Sequence, residues 1–123
     1  MTVETPTTLD LSAFKRCYET WDVEGLLDLY DEDVELIQID RDNPPSAPRV
    51  RSGRDTLAGM LRHCAGAGVN ASVEHLVASG DRAAATVTCE FPGGRKVVAN
   101  AILEVQDGRI VREHDVTIGD ARS

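Results

Sequence analysis

Apolar and polar residues alternate most regularly in the C-terminal part of the chain. Residues 96–118 (KVVANAILEVQDGRIVREHDVTI) contain two alternating runs that flank the pair Asp107-Gly108. An Asp-Gly pair in this position is typical of a β-hairpin with a two-residue type I′ turn, because both central residues of that turn need positive φ. The pattern therefore predicts two long antiparallel strands joined at Asp107-Gly108.

The turn fixes which residues of the predicted hairpin face each other. Counting outward from it, Asn100 lies opposite Asp115 and Ile102 lies opposite Glu113, so these four residues share one face. The other face is mostly apolar and carries Val97, Ala99, Leu103, Ile110, Val116 and Ile118. A slip of one residue would exchange the two faces, so the predicted site depends on the turn.

Helical spacing of apolar residues appears in three segments before the hairpin. The predicted helices cover residues 9–20, 22–30 and 53–65. Asp10 or Ser12 is expected to cap the first helix, and Asp22 the second, whose apolar stripe ends at Tyr30. Further strands are predicted over residues 34–40, 70–79 and 82–91.

Residues 40–52 (DRDNPPSAPRVRS) contain a run of prolines flanked by charges. Proline lacks a backbone N–H, so we expect no regular structure in this segment. A loop of this length is either a lid or rim beside a site, or a surface loop without function.

The predicted order is helix, helix, strand, loop, helix and then four antiparallel strands, which is typical of an α+β domain. A chain of 123 residues suits a single domain with one core over 1–123. The Thr-rich residues 1–8 are expected to form a disordered tail. Where the helices do not cover the sheet, a concave pocket is expected.

The net charge of −8 argues against nucleic acid and anionic membranes as partners. With neither a long apolar run nor a signal-peptide pattern, we expect a cytoplasmic protein. The cysteines, Cys17, Cys64 and Cys89, are widely spaced, which favours reduced thiols over a zinc site. No phosphate loop or metal-ligand cluster is recognisable, so we expect neither a metal nor another cofactor.

Three segments resemble the nuclear transport factor 2-like superfamily, which includes SnoaL-like and ketosteroid isomerase-like domains. WDVEGLLDLYDEDVELI is similar to its second helix and first strand, SGRDTLAGML to its third helix and DGRIVREHDVTI to its final strand. The resemblance implies a cone-shaped, curved, mixed or antiparallel sheet with three helices on its concave face, and a homodimer through the sheet. The superfamily contains isomerases, cyclases, epoxide hydrolases and non-catalytic binders, so the fold alone does not fix the function.

The resemblance also assigns individual positions. The oxyanion tyrosine of the ketosteroid isomerases falls on Phe14, their catalytic base on Gln38, and their second aspartate on Ile102 or Leu103. None of these residues carries the required group, which argues against an ordinary 3-ketosteroid isomerase. By contrast, the last-strand acid of limonene-epoxide-hydrolase-like members falls on Asp115.

Hydrophobicity and the family resemblance predict different pocket-lining faces for the hairpin. Hydrophobicity assigns the apolar face to the core, whereas the resemblance points Val111, Glu113, Asp115 and Thr117 inward. Both hold if the apolar face is buried in a dimer, and a β-bulge could also change the parity within a strand.

A carboxyl group that lines an apolar pocket has its charged form disfavoured, which raises its pKa toward a range useful for acid/base chemistry. The catalytic candidates are therefore Asp115, Asn100 and Glu113. The substrate-binding candidates are Phe14, Tyr18, Trp21, Gln38, Asp40 and Ile102. The alternative interpretation is a solvated strand face, with Tyr18 and Trp21 in the core and Asp40 in a turn.

Two hypotheses follow. The first is a cofactor-independent acid/base enzyme that isomerises, cyclises or opens the epoxide of a small, mostly apolar, oxygenated molecule. The second is a non-catalytic small-molecule-binding or dimeric interaction domain of the same fold.

Overall fold

A computed structural model of the chain describes residues 7–120. Within these residues the helices are α1 (Leu11–Glu19), α2 (Val23–Leu27) and α3 (Arg54–Gly66). The strands are β1 (Tyr30–Ile39), β2 (Arg49–Ser52), β3 (Asn70–Ser79), β4 (Arg82–Glu90), β5 (Lys96–Gln106) and β6 (Arg109–Gly119). Most of the predicted disordered tail, residues 1–6, lies outside the described residues.

The six strands form one curved, open, mixed sheet in the order β2-β1-β6-β5-β4-β3. Strands β1 and β6 pair in parallel, and the other neighbours are antiparallel. Apolar side chains of the helices pack against one face of the sheet, where Phe14, Leu57 and Leu61 meet Leu36 and Leu103. The predicted α+β class is confirmed. No helix in residues 7–120 has the length and apolarity needed to cross a membrane.

The helix starts follow the predicted caps. The side chain of Asp10 accepts from the backbone N–H of Ala13, and that of Asp22 accepts from Gly25 N–H. The assignment of Tyr30 to the second helix is wrong, because α2 ends at Leu27 and Tyr30 begins β1, fully buried.

The prediction that residues 40–52 lack regular structure is wrong for the last four. Arg49–Ser52 form β2, which pairs with β1 at the edge of the sheet. The prolines, Pro44, Pro45 and Pro48, all precede this strand, so each of its residues keeps a backbone N–H for pairing.

The β5–β6 hairpin has the predicted turn, with positive φ at Asp107 and Gly108. Beyond the first two pairs a β-bulge shifts the register, so that Glu104 pairs with Arg112 and one residue of β6, Val111, is left over. A bulge of this kind moves all later side chains of one strand relative to its partner. Asp115 consequently pairs with Ala101 rather than with Asn100.

The bulge resolves the disagreement about the two faces. Strand β5 turns its apolar residues, including Ala101 and Leu103, toward the helices, as hydrophobicity predicted. Strand β6 turns Glu113 and Asp115 the same way, as the resemblance implied. Hydrophobicity was therefore correct for β5 and for Ile110 before the bulge, and the resemblance was correct for β6 beyond the bulge.

Two helical glycines provide a test of the packing. A Cβ on Gly25 would lie 2.5 Å from Asp22 Oδ2 and 2.9 Å from Cys17 Sγ, whereas a Cβ on Gly59 would meet nothing within 4 Å. Replacing an unobstructed helical glycine by alanine stabilises a protein by about 1 kcal/mol. We therefore expect Gly59→Ala to raise the free energy of unfolding by about that amount and Gly25→Ala to lower it, both measured by urea denaturation. Equal stabilisation by the two substitutions would contradict the packing around α2.

Candidate functional site

A cavity of about 220 Å³ lies between the helices and the concave face of the sheet. Its apolar wall includes Phe14, Leu57, Met60, Leu61, Val87 and Ala101. Its polar groups come from Tyr18, Trp21, Gln38, Glu113, Asp115 and Thr117. The polar groups therefore face a space that is otherwise lined by hydrocarbon and sulfur.

Two carboxyl groups are buried together in this cavity. Glu113 and Asp115 are 6% and 9% exposed and project from the same face of β6. The pKa of Asp115 is raised to about 10, mainly by burial and to a lesser extent by the charge of Glu113 and a hydrogen bond to Glu113. Asp115 is therefore protonated at neutral pH, and its carboxyl group is hydrogen-bonded to that of Glu113.

Two tyrosines complete the polar network. The hydroxyl of Tyr30 donates to Glu113 Oε1 at 2.5 Å. Burial and the neighbouring carboxyl groups raise the pKa of both Tyr18 and Tyr30 well above the ordinary value, so both hydroxyls remain donors. Tyr30 is the functional candidate that sequence reasoning missed. Alternation could not have identified it, because the register of β1 shifts between Tyr30 and Glu35, and because Glu32, which has the same parity, is exposed.

Gln38 lies beside the carboxyl pair, because it is the strand partner of Asp115 in the parallel β1–β6 pairing. Phe14 is almost completely buried, and Trp21 donates from Nε1 to the backbone oxygen of Val69 at 2.5 Å. The structure thus brings six of the nine predicted site residues together around one cavity. They are Phe14, Tyr18, Trp21, Gln38, Glu113 and Asp115.

The remaining three lie elsewhere. The predicted pairing of Asn100 with Asp115 is wrong, because the bulge leaves Asn100 on the outer face, where its Oδ1 accepts from Thr86 Oγ1 at 2.8 Å. Ile102 is 54% exposed on the same outer face, so its predicted place in the pocket is also wrong.

Asp40 does not line the cavity. Its carboxylate accepts from the side chain and the backbone N–H of Asn43, which lower its pKa and fit the alternative role in a turn. It borders an open groove of about 930 Å³ at the end of β6, which shares only Val97 and Thr117 with the cavity.

Comparison with known proteins agrees with this architecture. The sequence profile of the SnoaL-like domain matches residues 11–113. The chain belongs to the SnoaL-like domain family. No curated protein matches the sequence significantly.

Solved structures share the fold of this SnoaL-like domain at low sequence identity. A candidate ketosteroid isomerase from Kribbella flavida is 21% identical with a TM-score of 0.70, over 94% of this chain and 79% of that one. A nuclear transport factor 2-like protein of unknown function from Burkholderia xenovorans is 19% identical with a TM-score of 0.73, over 92% and 83%. A candidate polyketide cyclase from Pseudomonas putida is 22% identical with a TM-score of 0.63, over 89% and 90%.

The buried acid predicts a specific pH dependence of stability. The unfolded chain ionises Asp115 near its ordinary value of 3.8, whereas the folded protein keeps the proton up to about pH 10. Its contribution to stability is therefore complete below about pH 4 and is lost as the pH rises toward 10, by up to about 1.4 kcal/mol per pH unit. We expect urea denaturation at pH 6 and pH 8 to show this decline in the wild type and a smaller one in Asp115→Asn. The same decline in both proteins would contradict the buried, protonated state.

Proposed function

We propose that the cavity is the active site of a cofactor-independent acid/base enzyme that acts on a small, mostly apolar, oxygenated molecule. One observation carries this proposal: the carboxyl groups of Glu113 and Asp115 are buried next to each other in a mostly apolar cavity. Burying a charge costs several kcal/mol unless it is paired and hydrogen-bonded. Among the described residues that line the cavity there is no Lys, Arg or His to neutralise it.

The arrangement of the pair suits proton transfer in both directions. Asp115 carries the proton that an acid needs, and the carboxylate of Glu113 is the adjacent base. Asp115 gives a proton to a substrate oxygen while Glu113 accepts one from a neighbouring carbon, and the total charge of the pair is unchanged. Isomerisation and cyclisation of carbonyl compounds both need this exchange.

The other polar groups support these roles. Tyr30 holds Glu113 in place through the hydrogen bond to its Oε1. Tyr18 remains a neutral donor next to the pair, and the mostly apolar wall lowers the polarity around the reacting atoms. With Phe14 and Gln38 at the positions of the isomerase tyrosine and base, the proposed reaction is not ordinary 3-ketosteroid isomerisation.

Exchange of α-hydrogens tests the proposed activity. Proton NMR in D2O follows the loss of α-hydrogens from cyclohexanone, 2-cyclohexenone and acetophenone, with and without the protein. We expect acceleration by the wild type and a rate lower by about 100-fold in Asp115→Asn and in Glu113→Gln, the usual contribution of a general acid or base.

The matched control is Glu104→Gln, which removes a carboxylate from the outer face of the same hairpin, where it binds His114 and Arg112. This variant is expected to keep the wild-type rate. If the wild type accelerates exchange of none of the three ketones, or if Asp115→Asn is as fast as the wild type, the proposed activity is wrong.

The second candidate is a homodimer that associates through the outer face of the sheet, with or without catalysis. Ile102, Val116 and Ile118 are 54%, 55% and 74% exposed there, on the adjacent strands β5 and β6. Neighbouring exposed apolar side chains of this kind favour a protein interface.

Sedimentation analysis tests the dimer. We expect the wild type to sediment as a dimer and the double variant Ile102→Lys, Val116→Lys to sediment as a monomer, because lysine side chains cannot be buried unpaired in the interface. Val77→Lys on the edge strand β3, where Val77 is 61% exposed, is the control and should remain dimeric. A monomeric wild type would exclude this assembly.

A further inference from the structure

Arg51 does not line the cavity, but it contacts Gln38, which does. Arg51 lies on the edge strand β2, and its Nη2 donates to Gln38 Oε1 at 2.6 Å. Gln38 itself lines the cavity and is the strand partner of Asp115. The contact therefore joins the segment after the prolines to the polar side of the cavity.

The chemistry of arginine fixes the orientation of the Gln38 amide. A guanidinium group has five donors and no acceptor, so only the oxygen of the amide can face it. The polar group that Gln38 has left for the cavity is consequently its Nε2–H2. The positive charge on the oxygen side also polarises the amide and strengthens that donor.

The burial of Arg51 supports a fixed contact. Its Nε is buried and has no acceptor within residues 7–120, so the guanidinium is desolvated without full compensation. An arginine on an edge strand that served only solubility would keep its head group in water. Here the residue is half-buried, its Nε has no contact with water, and its Nη2 binds Gln38.

We propose that Arg51 is a positioning residue that directs the Gln38 N–H, beside the carboxyl group of Asp115, at the oxygen of an uncharged carbonyl ligand. This inference rests on the proposed function and deepens it by naming the ligand class. The Gln38 N–H and the proton that Asp115 transfers then act on the same carbonyl oxygen, which gains negative charge during the reaction.

The charge and the volume of the cavity narrow the class of ligand further. The carboxylate of Glu113 repels an anionic ligand, and no cation among the described lining residues offsets it. The cavity of about 220 Å³ exceeds the engineered cavity of about 150 Å³ that binds benzene. Its size therefore suits a ketone with a single ring.

The experiment compares two probes of nearly the same shape. Acetophenone has a carbonyl oxygen, and α-methylstyrene has a methylene group in its place. For the wild type we expect binding of acetophenone to be tighter by about fivefold, the effect of one hydrogen bond, and the infrared carbonyl stretch of the bound ketone to move to lower frequency.

The variants are Arg51→Met, Arg51→Lys and Gln38→Met, and the matched control is Arg62→Met, an exposed arginine of α3 whose Nη2 donates to Glu24 Oε1. We expect Arg51→Met and Gln38→Met to lose most of the frequency shift and the preference for the ketone. Arg51→Lys, which keeps a donor, should retain part of both, and Arg62→Met should behave as the wild type.

Wild-type behaviour of Gln38→Met or Arg51→Met would overturn the inference, as would a wild type that prefers α-methylstyrene. If Arg51→Met does not fold, Gln38→Met and Arg51→Lys decide the question through the same shift. The frequency shift does not depend on catalysis. A wild type that shows the Arg51-dependent shift without α-hydrogen exchange would therefore disprove the proposed activity and leave this inference standing.

Discussion

The extra residue in β6, Val111, determines which side chains line the cavity. Before the bulge, Val105 and Ile110 face the core as an ordinary apolar pair; beyond it, Ala101 of β5 stands opposite Asp115 of β6. Strand β5 therefore places apolar side chains on the concave face of the sheet, and β6 places carboxyl groups there. Without the bulge, the hairpin would bury either its apolar residues or its acids, and a mostly apolar cavity with an acid pair could not form from these two strands.

The buried charge is tolerated because several elements supply donors to it. Strand β1 begins at Tyr30, whose hydroxyl binds Glu113, and the parallel pairing of β1 with β6 then sets Gln38 beside Asp115. Hydrogen bonds to a buried carboxylate offset part of the cost of removing it from water. The site consequently depends on the one parallel junction of the sheet as much as on the hairpin.

Local signals predicted the helix caps, the Asp-Gly turn and the α+β class, because each depends on neighbouring residues. The resemblance supplied the parity of β6 and thus the inward direction of Glu113 and Asp115. The alternation of apolar and polar residues could not reveal the bulge, because Val111 is compatible with a regular strand. The predicted register was therefore off by one residue beyond the turn, and it placed Asn100 and Ile102 in the site. Strand β2 was missed because the prolines just before it dominate the pattern of residues 40–52, whereas the strand forms by pairing with β1.

The parallel pairing of β1 with β6 also has a consequence for how the protein is made. Strand β1 is synthesised early, but its partner β6 is the last strand to be synthesised. The hydrogen bond from Tyr30 to Glu113 can therefore form only after 83 further residues have been added. Contacts of such long range slow folding and leave strand edges unpaired in the meantime. Until β6 is synthesised, the exposed edge of β1 could pair with a strand of another chain. The acidic residues at the start of β1, Asp31, Glu32 and Asp33, oppose such pairing through repulsion between like charges.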